Sequence, residues 1–285
     1  MSYPPVGLLA GAGRFPVAFA EKAKALGVPV VTVGLRNLAS PELEPLSVRF
    51  HWAAVGRLGA VIRRFRRAGV RDVVMAGKVE KSAFFGPWRV LSLMPDLRGL
   101  RFWYNRVRRD NKDDTLLLSL IAEFERDGLR FGSALDYCPE LLVRAGLLTR
   151  RGPTAAEEKD IAFGWELAKE MGRLDVGQSV AVHERAVLAV EAIEGTDQAI
   201  ARAGKLCGRG GFVVVKVAKP QQDMRFDVPT VGCTTVETLR QAGGRVLAVE
   251  AGKTILLDEA ATVALADRYG ITIVAVDAAA LARAA

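Results

Sequence analysis

The segment from Lys219 to Gly232 concentrates groups that do chemistry on charged substrates. Asp223 and Asp227 flank Arg225, Lys219 stands just before them, and Pro220 and Pro229 lie towards the two ends. Prolines favour extended backbone at the preceding residue, and in extended backbone alternate residues face the same way. The spacing therefore predicts Asp223, Arg225 and Asp227 on one side, with Met224, Phe226 and Val228 on the other. The segment follows Phe212–Val215, an apolar run that reads as a buried strand. Carboxylates and a guanidinium at the carboxyl end of a buried strand suit a phosphate-and-metal site. A salt-bridge ladder on a surface loop is the plainer alternative.

The scarcity of other ligands narrows the chemistry. The only histidines are His51 and His183, so a His-rich dinuclear or multi-histidine zinc site cannot be assembled. His183 sits in an apolar run and reads as a strand residue. Cys138, Cys207 and Cys233 are too widely spaced for a disulfide framework or a zinc knuckle. Any metal here would be held by carboxylates and water, which points to a hard ion such as Mg2+.

A second candidate site lies near the N-terminus. The apolar strand Val6–Ala10 leads into Gly11-Ala12-Gly13-Arg14-Phe15-Pro16, then a helical pattern from Val17 to Leu26 and a strand over Val28–Val33. Strand, glycine turn, helix and strand make a βαβ unit whose first turn offers backbone N–H groups to a phosphate. Helical spacing over Leu58–Arg67 and a strand at Val73–Met75 precede another glycine loop, Gly77-Lys78. Pro16 stands where the dinucleotide fingerprint has its third glycine. Arg36, rather than an acid, follows the second strand. An NADP-dependent oxidoreductase with Arg36 on the 2′-phosphate is one reading, and a mononucleotide or nucleotide-sugar site is another. Asp113 and Asp114 precede the apolar pattern Leu116–Phe124; either suits a helix cap, which leaves the other to face a cleft.

These groups need a scaffold to position them. The chain has 285 residues, half of them hydrophobic and 25% charged, with few aromatics, which fits one large or two smaller α/β layers. The pattern is interrupted at Thr149–Thr154, dividing the chain into a Rossmann-like parallel-sheet domain (1–150) and a second α/β domain (151–285) joined by a linker. The second half alternates a helix (Ala155–Met171), strands at Gln178–Val182 and Ala186–Ala192, and a helix opening at Thr196 or Asp197. After the acidic loop come a helix over Thr234–Ala242, strands near Val246 and Ile255, a helix over Asp258–Tyr269 and a strand at Ile271–Val276. Thr196 or Asp197 reads first as a helix cap, and that helix start is also a candidate anion site.

The net charge of +8 favours an anionic partner. Between Trp88 and Arg109, Arg89, Arg98, Arg101, Arg106, Arg108 and Arg109 face a single acid, Asp96, with Phe102, Trp103 and Tyr104 interleaved. That mixture suits single-stranded nucleic acid or an anionic membrane surface, or else a solvated helix face with its aromatics turned inward. A non-enzymatic nucleic-acid-binding protein is therefore a further reading. No apolar run reaches the roughly 18 residues of a membrane span and no signal segment is evident, so a cytoplasmic protein is expected.

Five segments in order carry a family resemblance: Gly11–Pro16, Lys112–Leu117, Gly172–Gln178, Val190–Asp197 and Lys219–Gly232. Together they resemble the LpxI-type UDP-2,3-diacylglucosamine pyrophosphatases of lipid A biosynthesis, over nearly the whole chain. The resemblance implies Mg2+-dependent hydrolysis of a lipid-linked nucleotide-sugar to UMP and 2,3-diacylglucosamine 1-phosphate (lipid X), with the substrate held between two α/β domains. A lipid-linked nucleotide-sugar substrate leaves no role for a nucleic-acid partner, and the composition of Trp88–Arg109 suggests peripheral docking of a cytoplasmic enzyme on the anionic inner membrane where that substrate resides. Within the pattern Arg-x-Asp-x-Pro-Thr-x-Gly, formed here by Arg225, Asp227, Pro229, Thr230 and Gly232, the essential aspartate matches Asp227, also the expected metal contact. Asp223 is then supporting, and Lys219 and Arg225 offset phosphate charge. Substrate contacts are expected from Gly11, Ala12, Gly13, Arg14, Phe15, Gly77, Lys78, Asp114, Thr196, Thr230 and Gly232.

Overall fold

The computed structural model describes residues 3–79, 95–107, 113–225 and 227–278; the side chains of 106, 107 and 113–116 are not described. Two compact units emerge. One comprises Met1–Pro139 with Asp223–Phe226, the other Glu140–Gln222 with Asp227–Ala285.

In the first unit β1 (Val6–Ala10), β2 (Val30–Leu35), β3 (Arg49–Ala53), β4 (Asp72–Ala76) and β5 (Arg130–Phe131) form a sheet ordered β3-β2-β1-β4-β5, with every pair parallel. This is the Rossmann-like parallel sheet expected from the sequence. Helix α1 (Phe15–Ala25) follows β1 and α2 (Leu58–Arg67) follows β3. Leu58, Val61, Ile62 and Phe65 make a buried stripe at helical spacing on α2 and pack with Val31, Val33 and Val73 of the sheet. A short α3 (Leu97–Phe102) and the 13-residue α4 (Asp113–Glu125) complete the described α-helices of this unit. Strand β3 went unread in the sequence because Arg49-Phe50-His51-Trp52 mixes charge and aromatics at the sheet edge, where it is only partly buried. Burial first, then Arg64 and Arg49 nearby, pushes the His51 imidazole below its ordinary value.

The second unit is built on a mixed sheet, β6-β13-β11-β9-β7-β8. Its strands are β6 (Gly146–Leu147), β7 (Ser179–His183), β8 (Ala186–Val190), β9 (Val213–Lys216), β11 (Val246–Glu250) and β13 (Thr272–Val276); β10 (Thr230–Val231) and β12 (Ile255–Leu256) pair separately. Central β9 is apolar on both faces because both are covered. Val213 and Val215 meet Ile161, Trp165 and Ala168 of α5 (Ala155–Arg173). Val214 meets Ile200 and Ala203 of α6 (Thr196–Leu206), together with Val236 and Leu239 of α7 (Cys233–Gln241) and Ala266 of α8 (Glu259–Tyr269).

The units divide at Pro139/Glu140, upstream of the pattern change at 149–154. Thr149 is buried, its Oγ1 accepting from Ile273 N at 2.9 Å, and Arg151 pairs with Glu157 at 2.7 Å. Thr154 and Glu157 close a capping box at the start of α5.

Candidate active site

Each unit places a cluster of motif residues at the carboxyl ends of its strands. In the first unit the strand order reverses between β1 and β4, the crevice where open α/β sheets bind ligands. Gly11 leaves β1 and Gly77 leaves β4, and the two loops are stitched together. Gly11 N donates to Ala76 O at 2.8 Å, Ala12 N to Lys78 O at 2.8 Å, and Lys78 N to Ala12 O at 2.9 Å. The approach leaves no room for side chains: a Cβ on Gly11 would lie 2.6 Å from Lys78 O, and one on Gly77, at φ +91°, 2.7 Å from Ala12 O. Helix α1 then opens without a side-chain cap, with Pro16 in its first turn, so its amino end is presented next to this crevice. Arg14 bonds Glu21 two turns along the helix at 2.8 Å, Phe15 is half-buried, and the Lys78 side chain is exposed. Asp114 falls in the first turn of α4, and its side chain lies outside the described residues.

The second unit assembles Lys219 and Asp227. Lys219 Nζ bonds Asp175 Oδ1 at 2.5 Å and lies 3.8 Å from Asp227 Oδ2, with Lys219 12% and Asp227 34% exposed. A largely buried ammonium thus sits between two carboxylates, both partly open to solvent. Gln222 closes the loop around them: its Oε1 accepts from Lys219 N at 2.8 Å, and its Nε2 donates to Asp227 O and Oδ2. Asp175 belongs to Gly172–Gln178 and takes a left-handed backbone (φ +57°) just past α5, a conformation Asp tolerates better than most residues.

The extended run expected over Lys219–Val228 is not what the chain forms. Turns fall at Pro220–Gln221 and Met224–Arg225, because local polar groups capture the backbone. Gln222 N returns to Lys219 O at 3.0 Å, and Asp223 Oδ1 accepts from Arg225 N at 3.0 Å. Arg225 also forks onto Asp223, with Nη2 to Oδ2 at 2.6 Å. The Arg225 hydrogen bond holds the Asp223 carboxyl below its ordinary value, and Asp223 in turn raises Arg225. These two residues fall in the first unit while Lys219, Gln222 and Asp227 fall in the second, so the predicted single face of Asp223, Arg225 and Asp227 gives way to two separate pairings. Phe226 lies outside the described residues.

Thr196 and Thr230 are joined through a residue the sequence reading passed over. Buried Lys216, at the end of β9, donates through Nζ to Thr196 Oγ1 at 2.9 Å and to Thr230 O at 3.1 Å. Thr196 Oγ1 donates to buried Glu191 Oε1 at 2.9 Å, so its hydroxyl hydrogen is directed inward. Gly195, in a left-handed conformation (φ +83°), precedes α6 without a side-chain cap. Gly232 precedes α7 in extended backbone. A Lys ending an otherwise apolar strand was the available signal for Lys216.

The chain matches the LpxI N-terminal domain over residues 5–141 and the LpxI C-terminal domain over 144–274. This chain belongs to the LpxI family. A relative from Caulobacter vibrioides (strain ATCC 19089 / CIP 103742 / CB 15), named UDP-2,3-diacylglucosamine pyrophosphatase LpxI, is 34% identical over 282 residues, covering 95% of this chain and 97% of its own. Among solved structures, the biotin carboxylase subunit of pyruvate carboxylase aligns with 73% of this chain and 41% of its own at 11% identity and a TM-score of 0.26, a likeness that carries no argument. The resemblance read from five short motifs thus extends to a family match in both halves of the chain.

In this LpxI family member the basic segment is only partly free for a partner. Trp88, Arg89, Arg108 and Arg109 lie outside the described residues, as does the Arg106 side chain. Arg98 is committed to Glu123 at 3.1 Å and to Asp127. Asp96 caps two helix starts, accepting from Gly99 N and Ala60 N, each at 2.9 Å. Arg101, Leu97, Leu100 and Tyr104 are exposed. Among the described residues no helix is long and apolar enough to cross a membrane.

Proposed function

We propose that this chain hydrolyses the pyrophosphate bond of UDP-2,3-diacylglucosamine to UMP and 2,3-diacylglucosamine 1-phosphate, in lipid A biosynthesis. The observation that carries the reading is the near end-to-end match to a relative named for that activity. The geometry supports it on physical grounds. A pyrophosphate repels a nucleophile, so cleavage needs local positive charge and an aligned water. In this reading Asp227 orients that water and Lys219 offsets charge on the cleaved phosphate; the 3.8 Å pairing of the two, with Asp227 partly open to solvent, supports it. The stitched Gly11 and Gly77 loops, with the uncapped start of α1, suit the phosphate and nucleoside end of the substrate. Lys78, Asp114, Thr230 and Gly232 complete the proposed contacts. Thr196 contributes through its position at the start of α6, and Arg225 by bracing Asp223.

Mg2+ fits this donor set. Among the described residues no three of His, Cys, Asp or Glu converge on one point. Mg2+ characteristically binds one or two carboxylates, with substrate phosphate and water filling its other positions. Asp227 would hold it, and the ion would supply charge neutralisation at the pyrophosphate. Attack is assigned to the sugar-linked phosphorus, as the resemblance to LpxI-type enzymes implies. Arg101, Leu97, Leu100 and Tyr104 offer a mixed basic and apolar surface consistent with peripheral contact with an anionic inner membrane from the cytoplasmic side.

Purified protein should release UMP from UDP-2,3-diacylglucosamine in Mg2+ or Mn2+, stop when EDTA is added, and need no nicotinamide. An NADP-dependent absorbance change without UMP release would overturn the reading.

A further inference from the structure

The peptide that launches the Lys219 loop is gripped by an ion pair between buried Glu250 and Lys169, which is 23% exposed. Glu250 ends β11 and is 2% exposed. Its Oε2 accepts from Ala218 N at 2.8 Å and from Lys169 Nζ at 2.6 Å. Lys169 reaches in from α5, its Nζ also donating to Ala218 O at 2.9 Å while lying 5.4 Å from the centre of the Trp165 ring. Lys253 Nζ completes the shell on Glu250 Oε1 at 3.1 Å. Both polar groups of one residue, Ala218, are therefore held by the two partners of one charge pair.

The location explains why charges are used. The β9–β11 ladder ends at Lys216 opposite Val249, and Val217 N still bonds Gln178 O at 3.0 Å. Ala218 is the first residue past those ladder bonds, and it is fully buried. Its N–H and C=O need partners that no strand supplies, because orphaned buried backbone groups are costly. A buried ion pair gives little net stability compared with an apolar pair of similar volume. An apolar pair, however, could not bond Ala218 at N and O together. We propose that Lys169 and Glu250 are positioning residues: they fix Ala218 so that the next residue, Lys219, holds its ammonium between Asp175 and Asp227. This rests on the reading of Lys219 and Asp227 as the working groups of the hydrolase.

The test replaces the pair together, as K169M/E250M, which removes both charges without leaving one stranded. The folded variant should melt below the parent, because the N–H and C=O of buried Ala218 lose these partners. Its kcat should fall ~10- to 100-fold, since misplacing a charged group by about 1 Å costs that much, while KM changes by less than ~3-fold. In a K219A background the same replacement should change kcat by less than ~2-fold, because the group being positioned is gone. Amide exchange at Ala218, followed by NMR, should quicken ~10-fold or more in K169M/E250M as its acceptor is lost. An unchanged kcat in the folded variant, an equal fold-loss with and without Lys219, or unchanged Ala218 exchange would each overturn the proposal. Should the double variant not fold, E250A, which also removes the acceptor of Ala218 N, carries the same kinetic and exchange measurements. A parent protein that releases no UMP would sink the hydrolase reading instead, and the exchange measurement would still decide whether the pair holds Ala218.

Discussion

Replacing Asp227 by alanine is expected to lower turnover of UDP-2,3-diacylglucosamine by at least ~10²-fold, the usual cost of losing a group that places charge or water at a reacting phosphate. Substrate affinity and fold should change little, since Asp227 is partly exposed and its described contacts are to the Lys219 and Gln222 side chains of its own loop. Asp223→Ala should cost less. Its carboxylate is spent on the Arg225 side chain and backbone, so its loss loosens a turn rather than removing a group from beside Lys219. Steady-state kinetics of both variants, with circular dichroism as a control for folding, checks the ranking. A greater loss from Asp223→Ala would mean that the working carboxylate had been misassigned.

The second large effect is expected at the glycine crossing of the first unit. Gly77→Ala combines a forced positive φ with a backbone clash, because its Cβ would lie 2.7 Å from Ala12 O. Holding alanine in such a conformation costs roughly 1–3 kcal/mol before the clash is relieved. Relief must come from parting the Ala12–Lys78 bridge, which removes the geometry proposed to cradle the nucleotide. Gly11→Ala brings the clash alone, 2.6 Å from Lys78 O, and Gly13→Ala, at φ +100° in open space, brings strain alone. Thermal melts and UMP binding should therefore rank Gly77→Ala as the most damaging. If it melted and bound UMP like the parent, the bridge would have no part in the site.

These expectations draw unequally on sequence and on structure. The strand–glycine–helix pattern at Val6–Ala25 was legible because it is written in neighbouring residues: an apolar run, three residues with two glycines, then helical spacing. The importance of Gly77 needed the parallel β1–β4 pairing, which brings it against Gly11 from far along the chain. The same division holds at the acidic loop. Lys219 and Asp227 stood out because charged residues crowded a short stretch after an apolar strand. Their arrangement did not, since the prolines pointed to extended backbone while Gln222 and Asp223 fold it into turns. Asp175 lay within the family segment Gly172–Gln178 without a role that its spacing could assign, and Lys169 and Glu250 had no local signal separating them from helix-end and surface charges. Only the packing of α5 and β11 beside the end of β9 brings them to Ala218 and Lys219.

The most direct measurement is turnover in water enriched in 18O, with Mg2+ present, followed by mass spectrometry of both products. The account predicts one 18O atom in 2,3-diacylglucosamine 1-phosphate and none in UMP, because the oriented water attacks the sugar-linked phosphorus and UMP leaves. Label in UMP would contradict the assigned point of attack, and products free of label, or no UMP at all, would contradict hydrolysis itself.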